Sequence, residues 1–485
     1  MTAKARWWAL AAVSLATLMT YLDNNVINVA IPTIQRDLHL SVTGLEWIVS
    51  SYLLVLAGLL LVGGRLADVY GRRRVFLTGL AIFTLSSLTA GLAGSAGVLI
   101  GARAVQGLGA ALLMPATLAI IGHAFTDVRE RTAAIGIWSA IGALGLALGP
   151  VVGGLIAQHI HWGWIFLINV PIGVITFAIA LPSVAESRAD LESRRLDVPG
   201  LVISAIALTS LTFALIEGHD RGWTSGLILG AFALAVAATA VFLAIERRTG
   251  QPMIQTQIFR AREFSGGTIT MMIWAFGVLG IYFFTSLYLQ EILGFSPTKA
   301  GLAFVPMALA MALFSFLAGP VTARIGAHRT VALGMLLMAG GLVLFLMLGQ
   351  HATFAGMMPG FLVFGAGGGL MNMPLTNAIL GAMPPARSGV ASALLNASRE
   401  VAGLLGVTVI GAVLRSRQGA ELRTGTDPAA AFIDGYHAGL ILTIALTLAG
   451  VVVSYLALRR YATQPAAPEE LTAVPDTPVP AGPGA

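Results

Sequence analysis

Long apolar runs alternate with short polar connections along nearly the whole chain. Each run holds about 20 residues, the length at which an α-helix crosses the hydrocarbon core of a bilayer. Counting the runs predicts fourteen membrane spans, at residues 7–31, 44–64, 75–93, 98–123, 132–157, 164–183, 198–217, 225–245, 263–290, 298–320, 330–349, 355–380, 389–414 and 437–458. We therefore expect an all-α polytopic membrane protein.

The basic residues are unevenly distributed over the connections between these runs. Most of the 28 lysines and arginines lie in every second connection, among them Arg72, Arg188 and Arg247. Cytoplasmic loops are enriched in Lys and Arg, so these connections and both chain termini are assigned to the cytoplasm. The formal net charge of +6 is spread over many loops rather than gathered on one face, so nucleic acid is not an expected partner.

The composition excludes several classes of protein. Charged residues make up 10% of the chain, against roughly 25% in soluble proteins, and hydrophobic residues make up 57%. Cysteine is absent, which excludes disulfides, thiolate metal sites and cysteine nucleophiles. We find no phosphate-binding loop, dinucleotide fingerprint, catalytic triad or metal-ligand spacing. The expectation is a non-enzymatic protein without metal or cofactor.

An internal repeat becomes visible when the predicted spans are paired. Residues 64–74 (GRLADVYGRRR) follow the second span, and residues 319–329 (GPVTARIGAHR) follow the tenth, with two glycines seven residues apart in each segment. The repeat predicts two pseudo-symmetric six-helix bundles with an inserted pair of helices between them. The predicted domains are an N-terminal bundle at 1–183, an insertion with its flanking linkers at 184–262, a C-terminal bundle at 263–460 and a disordered cytoplasmic tail at 461–485.

The first apolar run carries an acidic side chain. Asp23 lies about 16 residues after Trp7, or ~24 Å along a helix. An ionisable group in hydrocarbon costs several kcal/mol and usually marks an ion or substrate pathway. Arg103 has a similar depth in the fourth run, so the two side chains can pair. Such a pair could exchange a proton during transport, or it could be a purely structural ion pair.

Five segments carry recognisable motifs. They are residues 22–32 (LDNNVINVAIP), 64–74, 103–110 (RAVQGLGA), 145–154 (GLALGPVVGG) and 164–173 (WIFLINVPIG). In this order they resemble the signatures of the major facilitator superfamily, and specifically of its 14-helix drug:proton antiporter group. The resemblance covers nearly all of the chain from Trp7 to Leu458. It implies the major facilitator fold.

The resemblance also implies roles for particular residues. Asp23 and Arg103 match the proton-coupling positions. The cytoplasmic gate, which is expected to hold the two bundles together in one state, corresponds to Gly64, Asp68, Gly71 and Arg72. The antiporter helix, which is expected to seal the bundles against proton leak, corresponds to Gly145, Gly149, Pro150, Gly153 and Gly154. Val69, Gly163 and Ala323 depart from the family pattern, and the last of these predicts a gating carboxylate in the first bundle alone.

Polar residues within other apolar runs are candidates for a substrate cavity. They are Tyr21, Asn24, Gln106, Asn372, Asn377, Asn396, Arg399 and Glu400. Hydrogen bonding between helices is the alternative role for the asparagines. Arg399 and Glu400 are adjacent and point about 100° apart on a helix, so we expect that they do not pair with each other.

The resulting functional prediction is a proton-coupled secondary antiporter of the bacterial cytoplasmic membrane. It would export hydrophobic or cationic drugs by alternating access, driven by the proton gradient, with the bilayer, protons and a small-molecule substrate as partners and with the monomer as the working unit. A first alternative is a dedicated exporter of one endogenous metabolite or self-made antibiotic. A second alternative is a non-transporting membrane sensor.

Overall fold

The structure is a computed structural model, and it describes residues 3–188, 198–248, 259–383 and 388–459. The described residues form α-helices and one π-helical turn, Tyr288–Ile292, that continues α10. The helices are α1 (Ala3–Leu38), α2 (Val42–Tyr70), α3 (Arg72–Gly91), α4 (Ala96–Ala124), α5 (Val128–His159), α6 (Trp164–Leu167), α7 (Asn169–Ser183), α8 (Val198–Arg221), α9 (Gly226–Arg248), α10 (Arg262–Leu287), α11 (Pro297–Ala303), α12 (Val305–Ile325), α13 (Ala327–Leu346), α14 (Phe354–Gly381), α15 (Ser388–Arg423) and α16 (Pro428–Leu458).

Among these residues, 12 helices are long and apolar enough to cross a membrane. In this count α6 with α7 forms one span, and α11 with α12 forms another. The 36-residue α1 and the 32-residue α5 fall outside that set, although their length suffices for a crossing. The structure thus confirms an all-helical membrane protein, while the count of fourteen spans stays a prediction. The predicted tail, residues 461–485, lies outside the described residues.

The helices form two groups joined by a pair. In the first group, α1 packs against α5 and α7, and α4 packs against α2 and α3. In the second group, α10 packs against α15 and α16, and α14 packs against α12 and α13. Helices α8 and α9 pack on each other, and α8 also contacts α2 and α15. We call the end of the assembly at which α1 begins the near end, and the opposite end the far end.

The two segments of the sequence repeat adopt matching backbone geometry. Gly71 lies between α2 and α3 with a φ of 115°, and Gly326 lies between α12 and α13 with a φ of 83°. These positive φ values suit glycine because it lacks a Cβ. Each glycine therefore allows one helix to end and the next to start at once, at the near end of its own group.

The two groups are closed against each other at the far end. Ser286 Oγ of α10 donates to the carbonyl oxygen of Asn28 in α1 over 2.6 Å, and Gln290 Nε2 donates to the carbonyl oxygen of Val29 over 2.9 Å. At the same end, Thr298 Oγ1 of α11 donates to the carbonyl oxygen of Gly154 in α5 over 3.2 Å. These bonds use backbone carbonyls that α1 and α5 leave accessible to the opposite group.

One predicted boundary is wrong in a way that matters for the site. The thirteenth span was expected to end at residue 414, with Arg415 in the following loop, but α15 continues to Arg423. Arg415 is buried and forms an ion pair with Glu46 of α2. Arg415 therefore lies inside the helical bundle, where Glu46 neutralises its charge, rather than in a loop.

Candidate functional site

The Asp23–Arg103 pair forms the centre of a buried polar network in the first group. Asp23 Oδ2 of α1 accepts a hydrogen bond from Arg103 Nη1 of α4 over 2.6 Å. Both side chains have no exposed surface. The pairing expected from the similar depth of the two residues is therefore present in the structure, whereas its role in proton coupling stays a prediction.

Three more polar side chains complete the network. Gln106 Nε2 donates to Asp23 Oδ1 over 2.8 Å, and Asn169 Nδ2 donates to the same oxygen over 2.7 Å. Ser87 Oγ of α3 accepts from Gln106 Nε2 over 2.8 Å, and Gln106 Oε1 accepts from Arg103 Nη1 over 2.7 Å. Four helices, α1, α3, α4 and α7, thus place polar groups around one carboxylate. Such a network specifies one packing arrangement when it is satisfied.

The Arg103 guanidinium also lies between aromatic rings. Its central carbon is 4.2 Å from the centre of the Tyr52 ring and 5.7 Å from that of Phe166. Cation–π attraction is strongest for a desolvated cation, so these rings stabilise the charge inside the membrane. Arg103 Nη2 and Asn169 Oδ1 are buried without a hydrogen-bond partner. These two atoms are therefore available for new hydrogen bonds, so the network can rearrange when the charge on Asp23 changes.

Gln106 occupies a different place from the one expected. We assigned it to the substrate cavity, but its side chain is fully buried between Asp23 and Ser87. It belongs to the Asp23 network because α4 places residues 103 and 106 three apart on one face.

The second cluster joins the two groups at mid-depth. Arg399 Nη2 of α15 donates to the Tyr21 hydroxyl of α1 over 3.5 Å and to Glu400 Oε1 over 3.1 Å. The expectation that Arg399 and Glu400 do not pair is wrong, because the long arginine side chain spans the angle between adjacent positions. Arg399 is partly exposed and Glu400 nearly buried. The cluster brings together three of the predicted cavity residues.

The asparagines are distributed over several environments. Asn25 Nδ2 and Asn28 Nδ2 donate to carbonyl oxygens one turn earlier in α1, those of Tyr21 and Asn24, over 2.7 and 3.3 Å. Of the predicted cavity asparagines, Asn24, Asn372 and Asn396 are half-buried and Asn377 is exposed. Their assignment to a cavity stays a prediction.

The predicted cytoplasmic gate lies at the near end of the first group. Arg72 Nη2 at the start of α3 and Asp68 Oδ1 near the end of α2 are 3.3 Å apart, and Arg72 Nη1 donates to the carbonyl oxygen of Ala119 in α4 over 3.4 Å. Gly64 packs against the side chain of Pro115, and Gly71 lies against the carboxylate of Glu186. All these contacts are within the first group. A contact of Asp68 with the second group therefore stays a prediction for another conformation.

The glycines of the predicted antiporter helix, α5, pack against two different helices, α1 and α11. Gly145, Gly149 and Gly153 lie against α1, and a Cβ at Gly153 would be 2.5 Å from the Val26 carbonyl oxygen. Gly154 faces the second group, where a Cβ would be 2.5 Å from the Pro297 carbonyl oxygen. Pro150 contacts Gly301 of α11 through its carbonyl oxygen. This helix is therefore packed closely on both sides.

The sequence analysis missed four residues of these clusters. Asn169 lies in the recognised segment 164–173, where a lone amide in an apolar run was a usable signal. Glu46 lies inside the predicted second span, where a carboxylate was an equally clear signal. Ser87 carried no signal, because serine is common in membrane helices. Arg415 was missed through the wrong boundary. Among the described residues, no group of three or more His, Cys, Asp or Glu could hold a metal ion.

Two helical groups that meet at one end, with a buried ionisable network in one of them, are typical of secondary transporters. The sequence model of the Major Facilitator Superfamily matches residues 13–407 and, in a second match, residues 264–481. The chain therefore belongs to that superfamily. Together with its membrane-spanning helices and bacterial relatives, this makes it a multi-pass protein of the bacterial inner membrane.

Several curated relatives are similar over most of their length. The chain is 37% identical over 415 residues to the multidrug resistance protein Stp of Mycobacterium tuberculosis, which covers 85% of this chain and 76% of that protein. It is 38% identical to the methylenomycin A resistance protein of Streptomyces coelicolor, with 84% and 85% covered. It is 33% identical to the puromycin resistance protein pur8 of Streptomyces alboniger, with 93% and 91% covered.

Solved structures share the fold at low sequence identity. An auto inhibited peptide transporter of the POT family superposes with a TM-score of 0.69 at 15% identity, and 96% of this chain and 99% of that chain are covered. A bacterial homolog of the human lysosomal transporter Spinster superposes with a TM-score of 0.66 at 18% identity, with 96% and 100% covered. These likenesses show the shared fold.

Proposed function

We propose that this protein is a proton-coupled antiporter that exports hydrophobic or cationic drugs across the cytoplasmic membrane. It works without a cofactor, as a monomer of fourteen spans with both termini in the cytoplasm, and its energy comes from the proton gradient. The near end is then cytoplasmic and the far end external. Relatives named for multidrug, methylenomycin A and puromycin resistance support drugs as the substrate class.

The fully buried Asp23–Arg103 pair is the observation that carries this proposal. Its two charges neutralise each other while Gln106 and Asn169 hold the carboxylate in place. A proton on Asp23 removes the negative charge, and Arg103 is then a buried cation without a counter-ion. Breaking a buried pair in this way is strongly unfavourable, so the helices that carry the pair must rearrange.

Alternating access converts this rearrangement into transport. The far end is closed by hydrogen bonds between the two groups, which supports assigning this conformation to the state that is open to the cytoplasm. Substrate enters from the cytoplasm toward the Tyr21–Arg399 cluster. Bound substrate favours the opposite state, in which the cytoplasmic gate closes and the substrate leaves to the outside. A proton from outside then binds Asp23, favours the return to the state that is open to the cytoplasm, and is released there. Proton and substrate bias one equilibrium in opposite directions, as antiport requires.

A dedicated exporter of one metabolite is the second candidate function. It is supported by the names of two relatives, which refer to resistance to a single antibiotic each, methylenomycin A and puromycin. The same fold and network serve both candidates, so only the range of substrates separates them.

Proton flux through purified protein tests the proposal. Acid-loaded proteoliposomes are followed with a pH-sensitive dye while lipophilic cations and neutral antibiotics are added one at a time. Wild-type protein is expected to release protons with some of these compounds, and Asp23→Asn is expected to release none. Asp37→Asn is the matched control, because it makes the same change at a half-exposed carboxylate of the same helix.

The outcomes separate the candidates. Release with many unrelated compounds supports multidrug export, and release with one compound supports a dedicated exporter. Wild-type rates in the Asp23→Asn protein at equal reconstitution would refute coupling through Asp23.

A further inference from the structure

A second buried ion pair joins the two groups near the far end. Glu46 of α2 accepts from Arg415 Nη1 of α15, and their side chains are 0% and 5% exposed. Glu46 lies four residues after the start of α2 at Val42, or ~6 Å along the helix. Unlike Asp23 and Arg103, which lie in the same group, these two residues come from helices that separate if the far end opens.

The surroundings of the pair hold both residues in place. Gly411 of α15 lies directly against the Glu46 carboxylate, where a Cβ would leave no room for the acid. Arg415 Nη2 donates to the carbonyl oxygen of Ile216 in α8 over 3.0 Å and more weakly to that of Leu215 over 3.4 Å. The inserted helix α8 therefore holds the arginine in position for Glu46.

Other charged groups lie close to this pair. Asp220 Oδ2 of α8 accepts from Thr43 Oγ1 over 2.7 Å, and Glu217 Oε1 accepts from Trp47 Nε1 over 3.0 Å. The same helix carries Arg221, which pairs with Glu217, and His219, whose ring packs on Gly419 of α15 close to Arg415 and Arg423. Asp220 lies close enough to Glu46 to oppose its negative charge, while Arg415 is the cation in contact with it.

Glu46 also has an unused oxygen. Its Oε2 is buried and has no hydrogen-bond partner, and neither does Arg415 Nε. A carboxylate that served only to clamp two helices would be expected to use both oxygens, since each unsatisfied buried atom costs stability. The pair is therefore held by a single contact that the addition of one proton can remove.

We propose that Glu46 is a second proton-accepting carboxylate of this transporter. A proton that arrives from the far side neutralises Glu46, Arg415 loses its counter-ion, and α15 separates from α2 so that the far end opens. Helix α8 keeps Arg415 in place through its carbonyl groups, which gives the inserted pair a part in the gate. This inference rests on the proposed proton-driven antiport and adds the carboxylate through which outside protons open the external side.

The far end can be monitored directly because the chain contains no cysteine. Spin labels are placed at Leu92→Cys, after α3, and Leu422→Cys, near the end of α15; both residues are exposed. Distances between the labels are measured by double electron–electron resonance in lipid nanodiscs at pH 8 and pH 5. The labelled protein with Glu46 intact is expected to give one short distance at pH 8 and an additional longer one at pH 5.

Substitutions assign the response to one residue. Glu46→Gln is expected to show the longer distance at both pH values, with a population at pH 8 several-fold above that of the protein with Glu46 intact. Glu291→Gln, a matched change at an exposed far-end carboxylate, is expected to keep the original response.

The inference is overturned by either of two results. One is a distance distribution that does not change between pH 8 and pH 5 with Glu46 intact, a measurement that does not depend on whether Glu46→Gln folds. The other is a pH response that persists in Glu46→Gln or disappears in Glu291→Gln. The far end could instead respond to pH through Glu46 while proteoliposomes show no Asp23-dependent proton release. That result would refute the proposed antiport and would leave the proton site at Glu46 supported.

Discussion

Tyr21 and Arg399 connect the two helical groups near the middle of the membrane, with Arg399 Nη2 3.5 Å from the Tyr21 hydroxyl oxygen. Arg399 also forms an ion pair with Glu400, so the cluster contains a cation, an anion and an aromatic ring at one place. A site of this kind can bind substrates of either charge.

Tyr21→Phe should weaken substrate binding without affecting coupling. The substitution removes one hydroxyl, and a single hydrogen bond is worth about 0.5–1.5 kcal/mol, so KM for transport should rise about fivefold. Protons released per substrate exported should be unchanged. The check is KM from proteoliposome flux, with Tyr70→Phe at an exposed position as the control. An unaltered KM for every substrate would show that the Tyr21 hydroxyl does not contribute to substrate binding.

Arg103→Ala and Asp23→Asn should each destabilise the protein. Each change leaves the charged partner buried without its counter-ion, which costs about 3–5 kcal/mol. The double variant Asp23→Asn, Arg103→Ala should recover part of this loss, because neighbouring residues couple by about 0.5–3 kcal/mol. Thermal unfolding in detergent, followed by tryptophan fluorescence, measures all three variants. Strict additivity of the two single changes would contradict a direct interaction.

Gly153→Ala and Gly154→Ala are adjacent substitutions with different expected effects. Gly153 packs on α1 within one group, so its Cβ should lower thermal stability by about 1–3 kcal/mol of overpacking. Gly154 packs on Pro297 of the other group, so its Cβ should instead open the far end and slow transport. Melting temperature and the spin-label distance separate these effects. Equal loss of stability in both variants would contradict the assignment of the two faces.

Asp68→Asn should slow transport and leave folding intact. The Asp68–Arg72 pair is partly exposed and worth about 0–1 kcal/mol, so its loss barely changes stability. The transport defect should arise from the other conformation, where the gate is expected to contact the second group. Glu130→Gln, which removes a different near-end carboxylate, serves as control. Normal transport by Asp68→Asn would leave the pair without a gating role.

The sequence predicted the helical membrane fold because long apolar runs have few other solutions. It also indicated that Asp23 can pair with Arg103, since depth along a helix follows directly from residue number. It could not predict which neighbours surround a carboxylate, because that depends on how four helices rotate against each other, and the contact of Gln106 with Asp23 was missed for this reason. The pairing of Arg399 with Glu400 was missed because helix geometry alone does not account for the reach of a long side chain.

The Glu46–Arg415 pair was missed for a different reason. Hydropathy marks where apolar residues end, whereas α15 continues beyond that point to Arg423 and carries Arg415 into contact with Glu46. A contact with a partner this distant in the chain cannot be recognised from local composition. Residues 64–74 show the opposite case, since Gly71 donates to the carbonyl oxygen of Ala67 and Asp68 pairs with Arg72, both four residues apart.

The depth of Asp23 has a consequence for the driving force. This carboxylate is near the middle of a 36-residue helix, so a proton that reaches it from outside has crossed part of the transmembrane electric field. A full crossing is worth about 2.3 kcal/mol per elementary charge for each 100 mV. In the proposed exchange, protonation of Asp23 therefore responds to voltage as well as to pH. When a proton is exchanged for a neutral drug, export should therefore continue at equal pH on both sides as long as the cell interior stays electrically negative.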